Sequence, residues 1–256
     1  AAPAKAAAKK APAKREPRAK KAAEPKPTVT LAVDIGGTGT KTMLLDETGT
    51  AISERVRDET PQPATPEAIV DIIVRQAEQH GDYDRVSVGF PGVVHDGVVA
   101  TAPNLDPSWR GFDLASTLSE RLGGKPVRVL NDADVQGYAA IQGKGVELVI
   151  TLGTGLGSAL FLDGKLVPNL ELAHHEFRKN RTYEQMVGAR ALKKYGKKRW
   201  NRNVEEAIAS LDKAINFRAL YIGGGNAKKI AFKLPDHCSV VSNTAGLLGG
   251  IALWKS

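Results

Sequence analysis

The chain has 256 residues, 42% of them hydrophobic and 25% charged, enough to bury a core of one large or two small domains. It has no apolar run of the roughly 20 residues needed to span a bilayer, and its start lacks the apolar centre of a signal peptide, so a cytoplasmic protein is expected. A lone Cys238 excludes an internal disulfide framework and any cysteine-cluster zinc site within one chain. The formal charge of +8 is uneven: residues 1–27 carry nine Lys/Arg against two Glu, in an Ala/Lys/Pro context without large apolar side chains. Such a segment cannot build a core and reads as a disordered basic tail that could hold a polyanion loosely.

Ordered structure is predicted from Thr28. Residues 28–35 are a β-branched run ending in Gly-Gly, and 41–46 and 51–57 flank a Glu47-Thr48-Gly49 turn. Thr65-Pro66-Glu67 supplies an N-cap, an N1 proline and an early acid for a helix whose Ile69, Ile72, Ile73 and Ala77 share one face, with Gly81 as its stop. A strand follows at 85–90, then a hairpin through His95-Asp96-Gly97. Leu114, Leu118 and Leu122 mark a second helix ended by Gly123. Residues 126–130 form a buried strand that leads into a helical stretch after Asn131-Asp132. The order then repeats, with strands at 147–152 and 158–162 around a glycine loop and a turn at Asp163-Gly164. Charge-rich helices at about 182–195 and 203–215, a strand at 219–222 and a final helix from Thr244 complete the chain. Strand, glycine turn and hairpin thus occur twice, which predicts an α/β protein of two similar halves around a cleft. The expected division is a tail over 1–27, a small domain over 28–130 plus 243–256, and a large domain over 131–242.

Three glycine clusters lie at strand ends. In Asp34-Ile35-Gly36-Gly37-Thr38-Gly39-Thr40-Lys41 the glycines let backbone N–H groups approach an anion, Thr38 and Thr40 add hydroxyls, and Lys41 adds a charge. Asp34 could hold Mg²⁺, directly or through water, where it meets phosphate oxygens. The spacing is not that of a Walker A loop, and alone the segment reads equally well as a glycine-rich hairpin with an exposed Asp. The second loop, Gly153-Thr154-Gly155-Leu156-Gly157, is followed by a strand rather than a helix, which argues against a dinucleotide turn. The third is Gly223-Gly224-Gly225-Asn226. Together they fit one phosphate-rich ligand in one cleft.

The D-x-G-G-T-x-x-K loop, the Asn131-Asp132 pair, the T-x-G-T-G-x-G-S loop and the late G-G-G resemble the bacterial ROK sugar-kinase family, which has the actin-like, hexokinase-type ATPase fold. Residues 60–66, 83–94 and 104–109 are similar to its polyphosphate glucokinase branch, some members of which also accept mannose. The likeness runs from about Val29 to the C-terminus. It implies sugar contacts at Asn104, Asn131, Asp132, Glu171, His174 and Glu176, with Asp132 as general base. It also places Gly153, Thr154 and Gly155 at the second phosphate loop and Gly223–Asn226 on the nucleotide side. The chemistry supports that base, because a hexose hydroxyl is a poor nucleophile and a carboxylate must take its proton as the phosphoryl group moves. The same Asn-Asp pair could serve as a helix cap. The family often follows its histidine with a cysteine-rich zinc motif; this chain has none there, so no zinc is expected, and Ala173 stands where the family has Gly. His175 has no assigned role.

Residues 178–202 hold ten Lys/Arg against Glu184 alone. Lys193, Lys194, Lys197, Lys198 and Arg199 are the expected track for a linear polyphosphate, with Trp200 either stacking on an Arg or anchoring the helix. A solvated basic helix is the plain alternative. No nucleic-acid recognition motif accompanies the patch, so no specific nucleic-acid partner is expected. The expected activity is phosphoryl transfer from polyphosphate or ATP, with Mg²⁺, to the 6-hydroxyl of glucose, with mannose a second substrate. An ATP-only glucokinase and a ROK-type sugar-sensing repressor are the rivals, the latter lacking a foldable helix-turn-helix in residues 1–27. Monomer and homodimer both remain open.

Overall fold

The computed structural model describes residues 26–103, 105–241 and 249–254. Two five-stranded mixed sheets dominate it. The first contains β1 (Thr30–Gly36), β2 (Gly39–Leu45), β3 (Val56–Asp58), β4 (Arg85–Phe90) and β7 (Val127–Asn131), in the order β3-β2-β1-β4-β7. β5 (Val94–His95) and β6 (Val98–Val99) form a separate small hairpin. The second sheet contains β8 (Val146–Leu152), β9 (Leu156–Leu162), β10 (Lys165–Val167), β13 (Ala219–Gly223) and β14 (Cys238–Val240), in the order β10-β9-β8-β13-β14. In each sheet the first three strands form an antiparallel meander and the last two run parallel to the meander's first strand. One plan is therefore laid down twice, as the sequence repeat predicts.

Each sheet buries its own apolar cluster. α1 (Pro66–Ala77) and α2 (Leu114–Arg121) cover the first through Ile69, Ile73, Leu114 and Leu118, packed on Leu31, Val33, Val88 and Phe90. Thr65 caps α1 through its hydroxyl, which accepts from Ala68 N–H, and Pro66 stands at its start. Trp109 is fully buried there and donates Nε1–H to Ala64 O at 2.8 Å. The second cluster joins Leu148, Ile150, Leu220 and Ile222 to α4 (Tyr183–Val187) and α5 (Ala189–Ile215).

α5 is two helical segments that meet at Gly196, whose φ +73° and ψ 163° are not helical. The break expected between helices at about 182–195 and 203–215 is therefore present, but the first is divided at Gly188 into α4 and the start of α5, and the second begins just past Gly196. Trp200 just past the kink is wholly buried and donates to Val187 O, so the helix is anchored where the sequence suggested a gap. The first sheet's edge is also shorter than the predicted 51–57 run, with only Val56–Asp58 pairing as β3. The predicted helix from Thr244 lies partly outside the described residues; within them, 249–254 form a 3₁₀ helix against the first sheet. Ser87 Oγ donates to Gly250 O, Trp254 Nε1 donates to Ser87 Oγ, and Arg85 and Arg128 flank the Trp254 ring at 4.9 and 4.7 Å. No helix among the described residues is long and apolar enough to cross a membrane.

Candidate functional site

A cleft of about 310 Å³ lies where the two sheets' equivalent hairpins converge. From the first comes the β1–β2 turn. Its register pairs Gly36 with Gly39, leaving Gly37-Thr38 as a two-residue tip. Asp34, Gly36, Gly37, Thr38 and Lys41 line the cleft. Lys41 Nζ stands 2.7 Å from Asp34 Oδ2, an ion pair inside the site. Gly39 and Thr40, predicted phosphate contacts, are not in the lining. Strand alternation turns Thr40 into the protein, where it is fully buried, its carbonyl accepts from Gln76 Nε2, and its hydroxyl has no partner among the described residues.

The second sheet supplies the β8–β9 turn, with Gly153, Thr154 and Gly155 in the lining. Gly224 and Gly225 line the cleft beside it, while Gly223 ends β13 just behind. Asn226 does not face the cleft lining; its Nδ2 donates to Gly153 O and its N–H to Leu152 O, so it buttresses the second loop. Gly224 has φ +86°, and a Cβ there would stand 2.5 Å from Leu152 O, so only glycine lets the third loop press on the second.

Between the two turns stands α3 (Asp132–Tyr138), entered from β7. Asn131 is its N-cap: Oδ1 accepts from Ala133 N at 2.8 Å, and Nδ2 donates to Gly92 O at 3.1 Å. The pair is thus a helix cap, and Asn131 and Asp132 also line the cleft. A Cβ at Gly157 would come within 2.9 Å of the Ala133 methyl, so that glycine is what allows β9 to lie against the start of α3. Burial pushes the Asp132 carboxyl up to about 7, helped by Asp34 and Glu171 and opposed by the Ala133 N–H and Lys41. A carboxylate so placed is poised to take a proton near neutral pH.

The segment after β10 contributes Glu171 and His174, both in the lining. Ser158 Oγ holds it by donating to Leu170 O and accepting from Leu172 N–H. Partial burial raises the Glu171 carboxyl; His174 pulls it down and Glu184 up. Glu176 is exposed on β11 (Glu176–Arg178), outside the lining, and His175 is exposed with Nδ1 against Glu176 O. The second glutamate of the cleft is Glu184 in α4. Its N–H bonds Ala173 O at 3.0 Å, and Thr182 opens α4 with a reciprocal capping box through Gln185. That T-x-x-Q pattern is the signal in the sequence that fixes where the helix begins, and hence where Glu184 lies. Gln136 and Thr151 complete the floor, also unanticipated. Asn104 lies outside the described residues.

α5 starts at the second loop, where Ala189 N–H bonds Thr154 O. Lys193, Lys194, Lys197, Lys198 and Arg199 are all exposed along it, and Lys194 and Arg199 flank the Tyr195 ring. Trp200 anchors the helix, and among the described residues no cation stacks on its ring.

Comparison with known proteins agrees with this geometry. The ROK family model matches residues 30–171. The chain belongs to the ROK family. It is 36% identical over 235 residues to the polyphosphate glucokinase of Mycobacterium tuberculosis, covering 86% of this chain and 88% of that one. Its structure matches the inorganic polyphosphate/ATP-glucomannokinase of Arthrobacter sp. strain KM with a TM-score of 0.79 and 35% identity, over 89% of this chain and 99% of that. A ROK family glucokinase from Streptomyces griseus, solved with glucose and AMPPNP, matches with a TM-score of 0.75 and 26% identity, over 89% and 99%. The two-sheet architecture of this ROK protein is the actin-like ATPase fold of sugar kinases.

Proposed function

We propose that this ROK protein is a sugar kinase that moves a phosphoryl group from inorganic polyphosphate or ATP to the 6-hydroxyl of glucose, and of mannose as a second substrate, in the cytoplasm. One observation supports it most: two glycine hairpins from equivalent places in two sheets share one cleft with the raised carboxyl of Asp132. The relatives' names supply the substrate classes.

In this reading residues 28–130 with the C-terminal stretch form one lobe and 131–242 the other. The sugar lies against Asn131, Glu171, His174 and Glu184. Asp132 accepts the proton of the 6-hydroxyl as that oxygen bonds phosphorus and the donor's bridging oxygen leaves. The turns at Gly37-Thr38 and Gly153–Gly155 hold the donor phosphates. Among the described residues no three His, Cys, Asp or Glu are grouped to cage a metal. Mg²⁺ typically needs only one or two carboxylates plus phosphates and water, and Asp34 fits that role. It would supply charge neutralisation at the phosphoryl oxygens. The exposed cations of α5 run from the second loop and suit the distal part of a polyphosphate chain.

A coupled assay of glucose and mannose against polyphosphate and ATP tests the reading. Hexose 6-phosphate should form with polyphosphate and with ATP, and polyphosphate affinity should fall as salt rises. No product with either donor would refute it; product with ATP alone would leave an ATP-only glucokinase and remove the track.

A further inference from the structure

The first glycine hairpin carries two cations, and only one is spent on a carboxylate. Lys41 is held by Asp34 at 2.7 Å. Directly across the β2–β3 ladder from Lys41 stands Arg57, and opposite residues of an antiparallel pair share a face of the sheet. That face carries Lys41 into the cleft. The Arg57 side chain folds back over the hairpin, and its Nη2 donates to Thr38 O at 3.0 Å. A Cβ on Gly39 would stand 2.8 Å from Nε and Nη2 and 2.9 Å from Cζ, so the guanidinium fills the space that only glycine leaves. Gly39 is thus the seat of Arg57, which explains a glycine that the cleft lining does not include. Arg57 remains exposed, has no acidic partner among the described residues, and uses one of its five N–H donors on Thr38, a lining residue.

We propose that Arg57 is a ligand for the phosphoryl donor. Its guanidinium, fixed at the rim of the cleft by Gly39 and the Thr38 carbonyl, takes the oxygens of a donor phosphate beyond the transferred group. A planar fork matches two phosphate oxygens at once, which a lysine does not. The proposal rests on the kinase reading above.

The test combines Arg57→Ala, Arg57→Lys, Gly39→Ala and the Gly39→Ala/Arg57→Ala pair. Kinetics are run with polyphosphate and with ATP, and binding of a non-hydrolysable ATP analogue is measured by calorimetry without sugar. Arg57→Ala should raise the donor KM about tenfold, a typical loss for one charge-assisted contact, and leave the sugar KM within about twofold. Arg57→Lys should recover part of the loss. Gly39→Ala should reproduce the Arg57→Ala effect with little change in Tm, because the atoms it displaces are the end of a flexible side chain and the Gly39 backbone is not left-handed. In the double variant the two effects should not add. A shift with both donors assigns Arg57 to phosphates they share, and a shift with polyphosphate alone assigns it to the longer chain. Unchanged donor KM and analogue affinity in Arg57→Ala, or full additivity of the pair, would overturn the proposal. If the wild-type protein transfers no phosphoryl group the kinase reading falls first, and analogue binding still decides Arg57 by itself.

Discussion

Asp134 is a buried carboxyl for which the proposed chemistry has no use, and replacing it tests the electrostatics of the whole site. It lies on α3 two residues beyond Asp132 and is 2% exposed. Burial pushes it up to about 7 from an ordinary value of 3.8, with Asp132 and Glu171 adding to the shift. Because the folded carboxyl holds its proton more firmly than the unfolded one, its contribution to stability is complete only below the unfolded value and is lost as pH rises through about 7. Between about pH 5 and pH 8 the folded protein gives up roughly two units of that preference, or about 3 kcal/mol at about 1.4 kcal/mol per unit. Asp134→Asn keeps the shape and cannot ionise. Urea unfolding at both pH values should show the variant gaining about 2–3 kcal/mol over wild type at the higher pH relative to the lower. An equal stability gap between variant and wild type at both pH values would refute the argument, because a lost contact has no reason to follow proton uptake.

Asp132→Asn should lower kcat by about 10³-fold or more while calorimetry shows sugar affinity within about threefold; near wild-type turnover would remove it as the base. In the wild type, kcat should rise with pH through about 7 as Asp132 ionises. In Gly155→Ala the new methyl would meet the Glu184 carboxylate, which stands 2.2 Å from the Cβ position. Turnover should fall about tenfold or more with little loss of Tm, since Glu184 must swing within the cleft; unaltered kinetics would mean its placement is immaterial. Glu147 lies far from that chemistry, its carboxylate accepting from the N–H groups of Gln142, Gly143 and Lys144 and from the Tyr221 hydroxyl. Although burial pushes this carboxyl up, those bonds hold it below its usual value, so its support is lost as pH falls below the ordinary carboxylate range. Glu147→Gln turns an amide toward those donors and should cost about 2–3 kcal/mol in urea unfolding, with activity per folded molecule retained.

The repeated strand-glycine-hairpin pattern was legible because backbone geometry writes it directly: a β-branched run must stop where Gly36-Gly37 or Gly153 allows a tight turn. α1 and β4 appear where capping and alternation predict them. The glycine-loop motif assigns Thr40 to the phosphates, but the period of two that sends Lys41 into the cleft sends its neighbour away. Glu184 was harder to find, since its place depends on the Ser158 and Ala173 contacts that bring α4 back beside Glu171. The break at Gly196 shows in the sequence only as the space between two helical patterns, and burial of Trp200 starts the second segment earlier than its charge pattern suggests. β14 pairs only through the neighbour it finds at β13, and its short, half-exposed sequence carries no pattern of its own.

The stretch over 249–254 has a bearing on how the molecule is made. Ile251 packs on Ala32 and Leu45, and Ser87 in β4 binds both Gly250 and Trp254. The first sheet therefore keeps an open flank during synthesis until residues 249–254, which lie beyond the whole second sheet in the chain, have been translated. One half of this two-sheet unit is completed only after the other has been made.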